Sequence, residues 1–267
     1  MKINPTFVKP HLLRALVILI FCFIASPGIA QDWNKKKAAV VLTYDDALNV
    51  HLDHVLPALD SLGLKGTFYL TAGAQAFRQR LPEWEKVANN KHELANHTLF
   101  HPCDGSLPGR SFVSEYDLAK YSIRRLSDEI KMTNTVLQAL DGKTERTFAY
   151  PCGDTKAGGE SFVPMVKENF VAARGVQKEM LPRQATDVYM IGCHSGNGQN
   201  GEELIALVKE AIQNRRMIVF LFHGVGGEHS LNVSRKAHAE LLGFLKKHEK
   251  EIWNPTFIEA AKYLKSE

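Results

Sequence analysis

The chain has 267 residues, of which 45% are hydrophobic, 23% charged and 9% aromatic. These values are typical of a soluble globular protein and argue against a disordered, collagen-like or multi-span membrane chain. The formal net charge of +4 comes largely from Lys2, Lys9 and Arg14; from Gln31 onward, 30 basic residues face 29 acidic ones. Because phosphate binding needs a clustered basic face, the composition gives no case for nucleic acid or an anionic membrane as a partner.

Residues 1–30 predict a secretory signal peptide. They have a basic start, an apolar stretch from Ala15 to Ala25 and small residues ending at Ala30. A membrane anchor is the alternative, but the stretch is shorter than the roughly 20 apolar residues of a spanning helix. We therefore expect an exported protein, periplasmic or extracellular, whose mature part is a single domain over residues 31–267 and does not associate with the membrane.

The mature part alternates predicted strands with predicted helices. Runs that are apolar on both faces predict buried strands at Ala38–Thr43, Gly66–Thr71, Arg146–Tyr150, Phe170–Arg174 and Met217–Phe222. Helical periodicity predicts helices over Leu52–Leu62 with a kink or late start at Pro57, from Ser114 to about Leu140, and over Glu202–Asn214 and Arg235–His248. This alternation predicts an α/β fold with a parallel sheet or barrel, in which functional residues follow the carboxyl ends of strands.

Two adjacent carboxylates, Asp45 and Asp46, follow the first predicted strand. Burial and mutual repulsion disfavour such a pair, and a bound cation on one of them would relieve both. An ordinary turn, in which Asp is common, is the alternative.

A second feature is the pair His97 and His101. The H-x-x-x-H spacing predicts two imidazoles on the same face of one helical turn, where they could share a zinc ion. Ordinary core or surface histidines are the alternative, and nearby His92 is interpreted as structural. Together with Asp46, the set of one carboxylate and two imidazoles is typical of a catalytic metal site with open positions.

Two other strand ends carry polar groups. The turn at Tyr150–Asp154 could direct backbone N–H groups towards an oxyanion, although an ordinary strand-ending turn also fits. His223 follows the most apolar strand and could be a general acid or a structural histidine.

These motifs, in this order, resemble the polysaccharide deacetylases with NodB-like homology, carbohydrate esterase family 4. The resemblance rests on Thr43-Tyr44-Asp45-Asp46, His97-x-x-x-His101-Pro102, Phe148-Ala-Tyr-Pro-Cys-Gly153 and Leu221-x-His223. It implies a distorted (β/α) barrel of about seven repeats and a divalent metal, usually zinc, held by Asp46, His97 and His101. It also implies that Asp45 is the general base, that the backbone N–H of Cys152 stabilises the oxyanion, and that His223 protonates the leaving amine.

The sequence departs from the family pattern at two positions. Ala149 stands where the family often has an arginine that pairs with the catalytic base, and Arg174 is a candidate for the same pairing. The family's aspartate that orients the catalytic histidine has no clear counterpart, and Asp187 is the candidate.

Three cysteines follow the predicted signal peptide, and their spacing alone leaves the pairing open. Under the resemblance, the loops of Cys103 and Cys152 border the same site, which implies a disulfide between them and a free Cys193.

The resemblance implies removal of N-acetyl groups from an amino-sugar polymer or oligomer, such as chitin or peptidoglycan. One alternative is O-acetyl ester hydrolysis on a decorated polysaccharide such as xylan. Others are a metal-containing carbohydrate-binding protein without catalytic activity and a small-molecule amidohydrolase. The polysaccharide, the native metal and the oligomeric state have no signal in the sequence.

Overall fold

The strands that are apolar on both faces form one curled sheet in the computed structural model. Structure is described for residues 1–2, 33–110, 114–185 and 187–266. The predicted signal peptide lies almost entirely outside these ranges and stays a prediction. Within these ranges, no helix combines the length and the hydropathy needed to span a membrane.

The strands and helices alternate as predicted. The strands are β1 (Ala38–Asp45), β2 (Thr67–Leu70), β3 (Glu93–Asn96), β4 (Thr147–Ala149), β5 (Lys156–Ala157), β6 (Glu160–Ser161), β7 (Ala172–Arg174), β8 (Met180–Leu181), β9 (His194–Ser195), β10 (Met217–Phe222), β11 (Gly224–Val225), β12 (Asn232–Val233) and β13 (Ile252–Trp253). The α-helices are α1 (Leu56–Leu62), α2 (Gln75–Gln79), α3 (Leu81–Asn89), α4 (Ile123–Asp141), α5 (Val163–Asn169), α6 (Gly201–Asn214), α7 (Arg235–Lys247) and α8 (Phe257–Lys265).

The main sheet has the order β7-β4-β3-β2-β1-β10-β8, with parallel pairing everywhere except at β8. The segment that follows β8 connects both halves of this sheet, because Ile191 bridges to Arg174 of β7 and β9 pairs with β10. The result is the barrel-like, single-domain α/β fold predicted from the sequence.

Alternate side chains of the central strands pack into two hydrophobic cores. On β1, Val40 and Leu42 pack in the cluster that includes Leu241 of α7, whereas Val41 packs in the cluster that includes Phe257 of α8. Apolar residues on both faces are what a parallel strand covered on both sides requires. The strand β10 coincides with its predicted bounds.

One helix begins later than predicted. Helix α4 starts at Ile123, where the Ser122 hydroxyl accepts a hydrogen bond from the Arg125 backbone N–H. The carboxylate of Asp117 instead accepts from the Ala119 backbone N–H and caps a short 3-10 helix. The Ser114–Asp117 pattern therefore did not mark the start of the long helix.

Candidate functional site

Polar residues from three strand ends meet at one mouth of the barrel. Asp45 ends β1, His97 follows β3 and His223 follows β10. Because these strands are parallel, their carboxyl ends lie at the same edge of the sheet. The three residues line one cavity of about 690 Å³, together with Asp46 and His101.

The three residues predicted to bind metal lie together. The Nε2 atoms of His97 and His101 are 3.6 and 3.5 Å from Oδ1 of Asp46, and one ligand atom from each residue lies within 4.8 Å of the others. Oδ1 of Asp46 is buried and has no hydrogen-bond partner in the described part of the chain. A buried carboxylate oxygen facing two imidazole nitrogens fits a divalent cation of the zinc type.

The two histidines reach this position through an irregular loop, not through the predicted helical turn. The Asn96 side chain accepts a hydrogen bond from the Thr98 backbone N–H (2.8 Å), and the Thr98 hydroxyl accepts from the His101 backbone N–H (2.9 Å). Thr98 and His101 have positive φ values of 64° and 53°, which end regular structure after β3. The spacing identified the right residues, but the conformation that joins them is different.

One hydrogen bond fixes which ring nitrogen of His97 carries the proton. Its Nδ1 lies 2.9 Å from the carbonyl oxygen of Ala149 and can only donate a proton to that acceptor. Nε2 of the neutral ring therefore keeps its lone pair towards Asp46. Burial and nearby His101 lower the pKa of His97 well below its ordinary value, which favours the neutral, metal-binding form.

Asp46 differs from His97, because a carboxylate binds a cation in its charged form and an imidazole binds it in its neutral form. Burial alone would raise its pKa, but electrostatic interaction with the neighbouring imidazoles of His101, His97 and His223 lowers it overall. The backbone N–H of Asp46 donates to the Tyr69 carbonyl (3.1 Å), which fixes the residue in its left-handed conformation at φ 79°.

Arg174 forms an ion pair with Asp45, as anticipated for the replacement of the family arginine. Its guanidinium donates to Oδ2 of Asp45, and both side chains are almost fully buried. Ala149 and Arg174 are partners in the register of β4 and β7. The two positions are therefore neighbours on adjacent strands, and in this chain the arginine is on β7.

His223 lines the cavity but is not oriented by an aspartate. Its Nε2 is 3.8 Å from Oδ2 of Asp46, and its Nδ1 is buried without a hydrogen-bond partner among the described residues. Burial lowers its pKa, and Asp45 and Asp46 oppose that shift. Asp187 is not the orienting group, because its carboxylate is bound to the Tyr189 backbone N–H (2.9 Å) in an exposed turn. That prediction was wrong.

The sequence did not predict His229, which lies against His223. The two imidazoles stack with centroids 4.5 Å apart and planes 12° apart, and Nε2 of His229 is 3.9 Å from Oδ2 of Asp46. The Leu231 backbone N–H donates to Nδ1 of His229 (3.0 Å), so the neutral ring carries its proton on Nε2, inside the cavity. His229 sits in a Gly-rich loop with no periodicity, and only its closeness to His223 in the sequence could have indicated a role.

Two other buried histidines hold backbone in place. His51 accepts a hydrogen bond from the Leu48 backbone N–H (3.3 Å) through Nδ1, and its Nε2 donates to the His223 carbonyl (2.8 Å). One ring thus ties the loop after Asp46 to the end of β10. His92 accepts from the Gly66 backbone N–H (3.1 Å) and does not line the cavity, in agreement with its structural interpretation.

The third loop of the site is fastened by a disulfide. Cys103 and Cys152 are bonded, as the resemblance implied, and Cys193 is free and buried. Cys152 lines the cavity with a positive φ of 56°. The guanidinium of Arg110 donates to the Cys152 carbonyl (3.3 Å) and pairs with Asp154 (2.6 Å). The bond joins the loop that carries His101 to the loop predicted to hold the oxyanion.

Comparison with known proteins shows the fold and a match to one family over part of the chain. The polysaccharide deacetylase family model matches residues 32–158. A candidate polysaccharide deacetylase from Mycobacterium smegmatis superposes with a TM-score of 0.65 at 13% identity, over 90% of this chain and 95% of that one. A family 4 acetyl xylan esterase from Clostridium thermocellum, solved with a cobalt ion, superposes with a TM-score of 0.55 at 19% identity, over 84% and 90% of the two chains.

One curated relative shares sequence over a shorter stretch. The uncharacterized protein YlxY from Bacillus subtilis (strain 168) is 28% identical over 105 residues, which are 39% of this chain and only 28% of that protein. The family model covers the strand ends that carry Asp46, His97, His101 and Cys152, and the structural relatives share the surrounding fold. Residues 32–158 of the chain are therefore similar to the polysaccharide deacetylase family, and the chain has the fold of these structural relatives.

Proposed function

We propose that this chain is a metal-dependent hydrolase that removes N-acetyl groups from an amino-sugar polymer or oligomer. The observation that carries the proposal is the unpartnered, buried Oδ1 of Asp46, which faces Nε2 of both His97 and His101. We expect zinc as the metal, because one carboxylate and two neutral imidazoles suit that ion and leave positions open for water and substrate.

The neighbouring residues would supply the proton transfers. Asp46, His97 and His101 would hold the metal, which when bound would polarise the acetyl carbonyl and acidify a water molecule. Asp45, which is ion-paired with Arg174, would accept a proton from the attacking water.

The remaining steps use the other side of the cavity. The Cys152 backbone N–H would donate to the developing oxyanion. The C–N bond then breaks, acetate forms, and His223 would deliver a proton to the leaving amine; Asp45 and Asp46 favour the protonated ring against burial.

Acetate release tests this proposal. Residues 31–267, stripped of metal and reloaded with zinc, should release acetate from N-acetylglucosamine oligomers or peptidoglycan, and the stripped protein should not. Asp46→Ala should lose both zinc binding and activity, whereas Glu93→Gln, at the far end of the same strands, should keep zinc. No release from any substrate by protein with stoichiometric zinc would instead support a binding protein.

The unpartnered Nδ1 of His223 supports a second candidate, O-acetyl ester hydrolysis on a polysaccharide such as xylan. An alcohol needs less help from a general acid than an amine does, so a less strongly oriented histidine suffices. His223→Ala should abolish amide hydrolysis and leave most ester hydrolysis. Equal loss on both substrates would remove this reason for the ester.

We also propose that the protein is exported. This rests on the basic start and the apolar stretch of residues 1–30, which are typical of a secretory signal.

A further inference from the structure

A second hollow adjoins the catalytic cavity. Its volume is about 600 Å³, and it shares Thr71 and Ala74 with the cavity that holds the metal ligands. Its floor is made of small residues from Thr71 to Ala74, and its wall is formed by Phe100 and Tyr116. A molecule that fills the cavity can therefore continue into this hollow past the residues that line both.

The two aromatic rings of the wall are exposed. Phe100 and Tyr116 are 40% and 36% accessible, and their rings stack with centroids 4.8 Å apart and planes 30° apart. Exposed aromatic rings that lie together beside a cavity are typical of ligand-binding grooves. Stacking restricts both rings, so that a ligand meets a surface already in place.

The backbone beneath Phe100 fixes its position. The Gly73 N–H donates to the Leu99 carbonyl (2.7 Å), and a Cβ at Gly73 would lie 2.8 Å from Cδ1 of Phe100. Only glycine leaves room for this approach, so the ring packs directly on the main chain. The guanidinium of Arg78, bound to the Gly73 carbonyl (3.1 Å), lies at the polar edge of the same hollow.

We propose that this hollow is a subsite for the sugar residue adjacent to the one that is deacetylated. The apolar C–H face of a pyranose would pack on Phe100 and Tyr116, and its hydroxyl groups would meet Arg78. The sugar in the hollow is taken to belong to the same saccharide as the acetylated sugar, because the hollow and the cavity share Thr71 and Ala74. This inference rests on the proposed function, since it takes the acetylated substrate to be a saccharide.

The subsite predicts a preference for oligomers that depends on the aromatic wall. Phe100→Ala and Tyr116→Ala should each lower kcat/KM for penta-N-acetylchitopentaose by about tenfold. Hydrolysis of 4-nitrophenyl acetate, which is too small to reach the hollow, should stay within about twofold of the wild type. Leu107→Ala is the matched control, because Leu107 is an exposed apolar residue (43% accessible) that lines neither cavity.

Metal content separates a subsite from a structural effect. Because Phe100 precedes a metal ligand, zinc is measured in every variant; Tyr116→Ala, which lies outside the metal loop, repeats the test. If pentamer and small-ester activities fall together, or if neither falls in Tyr116→Ala, the proposal is overturned.

A binding measurement makes the test independent of catalysis. In metal-free Phe100→Trp, the pentamer should change the tryptophan fluorescence in a saturable way, compared with the wild type under the same titration. Such a change would support the subsite even if the wild type releases no acetate, a result that would count only against the proposed hydrolysis. No change with the pentamer would overturn the subsite.

Discussion

Replacing Arg174 by methionine removes the charge that faces the candidate general base. The side chains of Arg174 and Asp45 are only 1% and 4% exposed, so no water can replace the guanidinium without rearrangement. Removing one partner of a buried ion pair costs about 3–5 kcal/mol of stability, because the other charge is left uncompensated. We expect Arg174→Met to lose about that much stability and to lower kcat/KM at least about 100-fold.

A second buried ion pair provides the control. Arg146 pairs with Asp141, and both side chains are 2% exposed, but neither residue lines the catalytic cavity. Arg146→Met should lose similar stability in urea unfolding and keep kcat per folded molecule. Arg174→Ala combined with Ala149→Arg should recover activity, since the two positions are register partners. An Arg174→Met variant with kcat/KM within about twofold of the wild type would refute the reasoning.

Three other predictions concern two buried histidines, the disulfide and the amino-terminal segment. Burial lowers the pKa of His51 to about 4 and that of His238 to about 3, below the unfolded value of about 6.5. The free energy of unfolding of the metal-free protein should therefore be highest above about pH 6.5. Between pH 6.5 and 4 it should fall by about 1 kcal/mol per pH unit for each ring. In His51→Gln and His238→Gln, the free energy measured by urea unfolding should depend less steeply on pH. Reducing the bond between Cys103 and Cys152, 49 residues apart, should lower the free energy of unfolding by up to about 4 kcal/mol and weaken zinc binding, as calorimetry with and without reductant would show. The protein recovered outside the cytoplasm of the cells that express it should begin at Gln31 by mass spectrometry, and an intact residue 1 there would contradict a cleaved signal.

The sequence predicted the strands and the strand-end residues well, because burial on both faces leaves a direct pattern. Met217–Phe222 is apolar at every position, and β10 has those bounds. Asp46 and His223 could be placed on the same site because polar residues that directly follow such runs lie at one edge of a parallel sheet.

Loop conformation and long-range partners were less predictable. The path from His97 to His101 depends on side chain to backbone hydrogen bonds of Asn96 and Thr98, which have no period in the sequence. Asp187 was chosen by position in the chain, but its carboxylate is satisfied locally by the backbone N–H two residues on. His229 enters the site only through the path of the loop after β11.

The register of Ala149 and Arg174 also bears on how the pairing of Asp45 with an arginine of β7 arose. If an ancestor carried the arginine on β4, two substitutions separate it from this chain, and their order matters. Gaining the arginine on β7 first keeps Asp45 paired at every step, whereas losing the older one first leaves an isolated buried carboxylate, at a cost of about 3–5 kcal/mol. Selection would thus favour an intermediate with two arginines. Relatives with arginine at both positions are the sequences in which that history would still be visible.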